Sequence, residues 1–438
     1  MHQSLAEILQ FIEDNDIKFI RLAFCDIFGV QKNIAIMSSQ LAYAVEQGIS
    51  FDASAIGGFS NVAESDLFLY PDLDTLSLLP WRPSQGCVAR FFCHIRYPDG
   101  RPFEGDGRYL LRQVMSRAAG KGFSFQVGPE CEFYLFKTDA EGEPTLEPHD
   151  RAGYFDIAPM DRGENVRRDI CLALEEMGIQ PERSHHEQGP GQNEIDFHCS
   201  SPLRAADHLM TLRTAVKAIA AQNGLFASFL PKPLEDVSGS GLHINLSLYK
   251  DDKNLFEDFA LHPQEQAAGF LAGILRYIAE ITAFANPLPG SYLRLGKSEA
   301  PAAVNWSCQN RSTLVRVPAA TGGDSRIEVR SPDPSCNPYF TIALLLEAGL
   351  EGIEKKLPLP PSSDFNTYVE DLERHGLDAL PRTLGDALAI AESSAFIRRV
   401  LPQQLIEPYI GQKRMEFSQY DNAGRRREYE IRQYFDRI

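Results

Sequence analysis

The chain has 438 residues, enough for two or three domains, and its 43% hydrophobic and 24% charged residues are the balance of an ordinary soluble globular protein. Lys and Arg number 43 against 60 Asp and Glu, a net charge of −17. Such an acid excess repels nucleic-acid phosphates and anionic lipid, which argues against general nucleic-acid binding and a membrane-surface role.

Residues 4–13 carry Leu5, Ile8, Leu9 and Ile12 at helical spacing and predict a short amphipathic helix. The alternating, aromatic-rich stretch 18–26, the Phe28-Gly29 turn and the run 30–36 predict a hairpin. Short strands are expected at 66–70 and 87–95, with a Gly/Ser/Ala-rich loop over 51–63. This β-rich unit ends at about residue 100, where Pro98-Asp99-Gly100 supplies turn chemistry. Beyond it, helical periods at 109–119, 164–177, 205–222, 264–284 and 339–353 alternate with strand-like runs at 124–136, 194–199, 242–248, 312–317 and 326–330. The alternation suggests one large α/β unit of about 330 residues with long functional loops. The most apolar segment, 267–285, is interrupted by Arg276 and Glu280 and reads as a buried or interfacial helix, not a membrane span. No basic segment followed by an apolar stretch opens the chain, and the eight cysteines form no CxxC pair. A soluble cytoplasmic protein without a zinc site or disulfide framework is expected.

The chemistry concentrates on a few strands. In Gly128-Pro129-Glu130-Cys131-Glu132-Phe133, residues two apart project to the same face, so Glu130 and Glu132 lie side by side. Adjacent carboxylates on an otherwise apolar strand repel unless a cation neutralises them; the alternative is a solvated strand face. His185-His186-Glu187 is followed by the turn Gln188-Gly189-Pro190-Gly191-Gln192 and then by Glu194, so Glu187 and Glu194 can flank one hairpin. Ser238-Gly239-Ser240-Gly241 runs into a strand carrying His243; the loop lets backbone approach a ligand but is no P-loop, and His243 taken alone reads sooner as a core histidine. In Arg326-Ile327-Glu328-Val329-Arg330 the three charged side chains share one face, and Arg294, Arg311 and Arg316 lie upstream. Carboxylates with one imidazole favour Mg²⁺ or Mn²⁺ over Zn²⁺ or Cu²⁺. With arginines and a Gly-rich loop they describe phosphoryl transfer.

Taken in order, these segments closely resemble the glutamine synthetase family, bacterial type I, across essentially the whole chain. The resemblance rests on Phe51-Asp52-Ala53-Ser54-Ala55-Ile56, Glu64-Ser65-Asp66, Gly128 to Phe133, Gly153-Tyr154-Phe155, His185-His186-Glu187, Gly191-Gln192-Asn193-Glu194, Pro231-Lys232-Pro233, Gly239 to His243, Glu299-Ala300-Pro301, Asn310-Arg311-Ser312 and Arg326 to Arg330. It implies an α+β fold: an N-terminal β-grasp domain over 1–100, then a catalytic domain over 101–438 made of curved antiparallel sheet flanked by helices. It also implies ATP-dependent ligation of ammonia to the γ-carboxylate of L-glutamate through γ-glutamyl phosphate, in a dodecamer of two hexameric rings with active sites between subunits. One Mg²⁺ or Mn²⁺ is then expected on Glu132, Glu187 and Glu194, and a second on Glu130, His243 and Glu328. Arg311 and Arg316 would neutralise the transferred phosphoryl group, while Arg294, Arg330 and the Gly239 backbone hold glutamate. Ser247, Arg316 and Arg326 would meet ATP, and Glu299 would ride on a flap that shields the intermediate. Asp52 from a neighbouring subunit would take the proton from ammonium, with Tyr154 enclosing it.

Departures from the family pattern cluster near the nucleophile. The usual Phe-Asp-Gly-Ser-Ser loop has Ala53 and Ala55 for its Gly and second Ser, Ser238 stands for an Asn, and Cys131 replaces a Pro. The flap segment Arg294 to Glu299 is one residue shorter than usual. A glutamate–amine ligase using a larger amine is therefore the alternative. A non-catalytic scaffold would show a lost metal ligand or phosphate arginine, and none is lost. No tyrosine stands in Leu377-Asp378-Ala379-Leu380-Pro381, where some members are adenylylated, so that modification is not expected.

Overall fold

The computed structural model describes residues 4–59, 65–82, 85–370 and 372–438. Part of the expected 51–63 loop, together with Glu64, lies outside them. Helix α1 (Leu5–Asp14) starts where the sequence caps it: Ser4 Oγ accepts from the Glu7 amide and the Glu7 carboxylate accepts from the Ser4 amide. Strands β1 (Ile17–Cys25) and β2 (Gln31–Met37) form the predicted hairpin. The Asp26 carboxylate shapes its turn by accepting from the amides of Phe28 and Val30 at 3.0 and 2.9 Å. Gly29 has φ +85°, and a Cβ there would stand 3.0 Å from the Asn337 backbone.

Helix α2 (Leu41–Gln47) and strands β3 (Ile49–Asp52), β4 (Asp66–Pro71), β5 (Ser77–Leu78) and β6 (Cys87–Arg96) complete the N-terminal sheet, ordered β2-β1-β6-β4-β3 with β5 also on β6. Its central pair, β1 and β6, is parallel and the others are antiparallel. Helix α3 (Gly107–Gly120) then leads to β7 (Phe123–Thr138), the sixteen-residue strand around which the second sheet is built. Strands β8 (Pro144–Pro148), β9 (Pro181–His186), β10 (Gln192–Phe197), β11 (Leu225–Ser228), β12 (Leu242–Lys250), β13 (Lys253–Asn254), β14 (Trp306–Cys308), β15 (Val315–Val317) and β16 (Ile327–Val329) join it in the order β14-β15-β16-β12-β7-β10-β9, with β8 and β11 on β7 and β13 on β12.

Except for the parallel β14–β15 pair, this sheet is antiparallel. The α/β reading suggested by alternating helices and strands therefore gives way to α+β. The chain returns between β7 and β12 through other strands and helices, and the two then pair in opposite directions along nine registered residues. The expected strand at 312–317 is also shortened to β15. Ser312 turns instead, its amide and hydroxyl both donating to Asn310 Oδ1.

The helices cover this sheet and bind the two sheets together. Helices α4 (Glu164–Glu176), α5 (Pro202–Gln222), α6 (Glu265–Ala285), α7 (Ser291–Arg294) and α8 (Pro338–Glu354) precede a C-terminal group: α9 (Leu384–Ser393), α10 (Ala395–Val400), α11 (Gln403–Asp421) and α12 (Arg426–Tyr434). By length and composition α6 can cross a membrane, yet 78% of its apolar window is buried in the protein. It packs on α8 at backbone distance: a Cβ on Gly273 would meet the Ala348 carbonyl at 2.0 Å, and one on Gly352 the Gly269 carbonyl at 2.0 Å. Where the sheets meet, Arg108 is 2% exposed and donates twice to Asp207 and once to Asp72, at 3.0, 3.0 and 2.8 Å. Its charge is matched on the spot, which is the condition for burying it.

Candidate active site

The alternation of β7 turns Cys131 and Phe133 into the core and leaves Glu130 and Glu132 together on the opposite face. Register then supplies their neighbours. His243 of β12 lies opposite Glu130, Glu194 of β10 lies opposite Glu132, and Glu328 of β16 lies opposite Asn245. Glu187 follows the last residue of β9, at the head of the turn into β10, so the two glutamates do flank one hairpin. Six potential ligands from five places in the chain thus converge.

Their contacts divide unevenly. His243 Nδ1 lies 3.4 Å from Glu130 Oε2 and 3.5 Å from Glu328 Oε1. Ligand atoms of Glu130, Glu194 and His243 lie within 4.8 Å of one another, as do those of His185, Glu187 and Glu194. Glu194 therefore stands between the two groups, and His185, given no role by the sequence reading, joins the second with its Nε2 3.2 Å from Glu194 Oε1. Glu132 accepts from Gln192 Nε2 and the Gly241 amide at 2.8 and 2.9 Å. Glu328 pairs with Arg330 and, at 2.8 Å, with Arg316.

Electrostatics marks the same place. Burial, and then the neighbouring Glu132 charge, pushes the Glu187 carboxyl up to about 8. Burial followed by Asp196, Glu132 and Glu130 pushes Glu194 well up, and burial with Glu130 raises Asp196 to about 7. Burial also opposes charge on Glu130, but the hydrogen bond and charge of His243 win and hold it down at about 2. Several carboxyls that resist ionising together, facing one imidazole, fit a divalent hard cation: it would replace the protons and relieve the repulsion. Among the described residues, Glu130, Glu194 and His243 form one group that could hold such a cation and His185, Glu187 and Glu194 another, with Glu132 lining the same cleft and Glu328 reaching it through His243.

The cleft beside these carboxylates is also lined by Tyr154, Gly239, Arg294, Glu299, Arg311 and Arg330. Gly239 and Gly241 are required there: a Cβ on Gly239 would stand 2.3 Å from the Pro231 carbonyl, and one on Gly241 2.6 Å from Arg294 Nη2. Buried Arg294 donates to the carbonyls of Ser331 and Arg330 at 2.8 and 3.1 Å; these fix its direction without neutralising it. Glu299 and Ser298 have φ of +69° and +45°, an unusual backbone for such residues. Gln188 Nε2 donates to Glu299 Oε1 at 3.1 Å, tying that segment to the Glu187 turn.

A second cavity of about 380 Å³ adjoins the cleft at Glu130 and is lined by Asn245, Ser247, Arg326 and Asp196. Ser247 Oγ donates to the Ser325 carbonyl and Arg326 Nε to Asn245 Oδ1, so both shape its wall. Arg316 lines neither space and reaches the cluster through Glu328. Asp52 is exposed on the N-terminal sheet and lines neither cavity of its own chain; its carboxylate accepts from the Ser54 amide and hydroxyl.

Behind the cluster, one buried carboxylate sets the hairpin turn. Asp150 Oδ1 lies 2.9 Å from His186 Nε2 and accepts from the Gly191 amide at 2.9 Å, while Oδ2 accepts from the Arg162 amide at 3.0 Å. It thereby joins the Glu187 turn to the 151–162 loop carrying Tyr154, and no local sequence signal announces it. Asp150→Asn is expected to raise the Mg²⁺ concentration for half-maximal activity by about 10–100-fold. A Mg²⁺ titration of initial rates checks this, and an unchanged requirement would remove Asp150 from the site.

Paired clusters that could hold hard cations, beside arginines and a second cavity, are the arrangement expected of an enzyme that works on phosphoryl groups with divalent metal. The comparisons make that class specific. Residues 16–98 match the family described as glutamine synthetase, beta-Grasp domain, and residues 104–434 match glutamine synthetase, catalytic domain. The glutamine synthetase of Clostridium saccharobutylicum is 46% identical over 420 residues, 94% of this chain and 95% of that one. That of Thermus thermophilus is 45% identical over 430 residues, 96% of each. Among solved structures, the GmaS/ADP complex has TM-score 0.87 at 30% identity and covers 99% of both chains. The Plasmodium falciparum glutamine synthetase, with TM-score 0.85 at 23% identity and 99% of both chains, shares the fold. The chain belongs to the glutamine synthetase family. It is an ATP-dependent carbon–nitrogen ligase of the glutamate–ammonia ligase class, acting on small molecules with divalent metals.

Proposed function

We propose that the enzyme joins ammonia to the γ-carboxylate of L-glutamate through γ-glutamyl phosphate, releasing ADP and phosphate. The observation that carries this is the convergence of Glu130, Glu132, Glu187, Glu194 and His243 with Arg294, Arg311 and Arg330 at one cleft, Glu328 standing against His243, next to the Ser247–Arg326 cavity. ATP occupies that cavity with its phosphates toward Glu130, and the structurally similar GmaS is solved as a complex with ADP. Arg294, Arg330 and the Gly239 backbone orient glutamate so that a γ-carboxylate oxygen attacks the γ-phosphorus and the bond to ADP breaks. Two Mg²⁺ or Mn²⁺ ions, on Glu132, Glu187 and Glu194 and on Glu130, His243 and Glu328, supply charge neutralisation at the phosphates when bound. Arg311 and Arg316 offset charge on the transferred group, and the Glu299 segment closes over the acyl phosphate and excludes water. Asp52 of the partner subunit takes a proton from ammonium beside Tyr154, and the nitrogen attacks the acyl carbon as phosphate leaves. The domain limits 1–100 and 101–438, a dodecamer and a cytoplasmic location complete the reading.

A larger amine as acceptor is the second reading. It is favoured by Ala53 and Ala55 in place of Gly and Ser, and by Ser238, which lines the cleft. Phosphate release with glutamate, ATP and Mg²⁺ is expected to be stimulated by ammonium above a panel of primary amines. Turnover with amines alone would sink the ammonia assignment.

A further inference from the structure

Away from the cleft, two arginines face one another on adjacent strands. The parallel register of β1 and β6 sets Arg21 directly opposite Arg90, an arrangement that costs stability unless something negative lies between them. Arg90 is 7% exposed, stacks over the Phe92 ring at 4.0 Å and gives one hydrogen bond, from Nη1 to Thr211 Oγ1 at 2.6 Å. Its Nε is buried without a partner. Burial lowers its pKa to about 10, which still leaves a full cation at neutral pH. The acid whose charge supports Arg90 most, Asp207, is already engaged by Arg108 and the Tyr339 hydroxyl. Among the described residues, Arg21 donates only to the neutral Asn33 Oδ1, at 3.3 Å.

Both arginines line a cavity of about 270 Å³ between the N-terminal sheet and α5, together with Arg82, Thr214 and Trp81. Among the described residues no carboxylate lines it, in a chain whose net charge is −17. Arg82 is exposed, so the third cation faces solvent while Arg90 stands at the inner wall. We propose that this cavity is a binding site for a small oxyanion, a phosphate or a carboxylate, held by Arg21, Arg82 and Arg90. Guanidinium forks match such oxygens with paired charge-assisted hydrogen bonds, and the size suits an ion rather than a nucleotide. The occupant answers the Arg21–Arg90 repulsion.

The chain carries its own reporter, since its two tryptophans are Trp81, in the cavity wall, and Trp306, in β14. In full-length Trp306→Phe enzyme, Trp81 emission is recorded against inorganic phosphate and against malonate, at constant ionic strength set with chloride. A saturable change with either anion is expected, phosphate alone marking a phosphoryl ligand and malonate alone a carboxylate. Arg90→Met should weaken it by about tenfold or more. Arg21→Gln, on a half-exposed side chain, gives a second variant should Arg90→Met fail to fold, and it should lose the response while keeping turnover. No saturable change, or one that persists undiminished in the folded variants, overturns the proposal.

Discussion

Glu328→Gln is expected to abolish turnover with ammonium and with every amine alike, by more than about 100-fold, because in the proposed mechanism this side chain would serve the phosphoryl step that precedes the choice of acceptor. Glu328 is 2% exposed and stands at the junction of His243, Arg316 and Arg330. Burial alone would raise its pKa, but the Arg330 and His243 charges outweigh burial and hold it below the usual carboxylate range. The amide keeps the shape and loses the charge, so two arginines lean on a neutral group and a divalent cation loses an anionic ligand. Breaking a buried ion pair from one side costs about 3–5 kcal/mol, so the unfolding midpoint should fall as well. Phosphate release measured with several acceptors, alongside thermal denaturation and Mn²⁺ titration, separates the effects. A folded variant that binds Mn²⁺ like the parent and retains turnover would refute the placement of Glu328 among the metal ligands.

The sequence disclosed those parts of the site whose geometry is local. Alternation alone placed Glu130 and Glu132 on one face of β7, and the Gly-Pro-Gly turn alone brought Glu187 near Glu194. His243 and Glu328 were ambiguous taken singly, because what brings each to the cluster is a strand partner more than eighty residues away. Only the order of motifs, through the family resemblance, resolved them. The α/β reading of the alternating helices and strands failed for the same reason, since alternation does not say which strands pair, and the antiparallel sheet was expected only through the family resemblance. The helices from 384 onward were not foreseen at all. In α11 the apolar set Leu405, Ile406, Tyr409 and Ile410 is interrupted by Pro408 and followed by the buried Lys413, which blurs the helical period. Asp150 and His185 escaped because their partners, not their neighbours in sequence, give them meaning.

In metal-free enzyme, thermal stability is expected to fall as pH rises from about 6.5 to about 8, and saturating Mg²⁺ to oppose the fall increasingly across that range. The Glu187 carboxyl is raised from 4.5 to about 8 by burial and Glu132, and Asp196 from 3.8 to about 7 by burial and Glu130. In this window the folded protein keeps protons that the unfolded chain, with carboxyls near pKa 4, has already lost. The folded state binding more protons means that stability declines with rising pH until the folded pKa is passed. His94 and His208, which burial and neighbouring cations lower to about 3 and about 4, act in the opposite sense. Their contribution keeps growing until the unfolded histidines, with pKa near 6.5, are neutral at about pH 7.5, so they offset part of the decline in the lower half of the window and the carboxyls dominate its upper half. Glu430, raised to about 7 mainly by burial, adds to the decline at the lower end. A divalent cation takes the place of the lost protons, so its binding should release protons below pH 8 and its stabilisation should grow with pH. Melting curves in chelator and in Mg²⁺ at four pH values measure both slopes, and Glu187→Gln should flatten the metal-free one because its amide does not titrate. A metal-free midpoint that rises through this window in the parent and the variant alike would mean that the cluster does not carry its negative charge as strain.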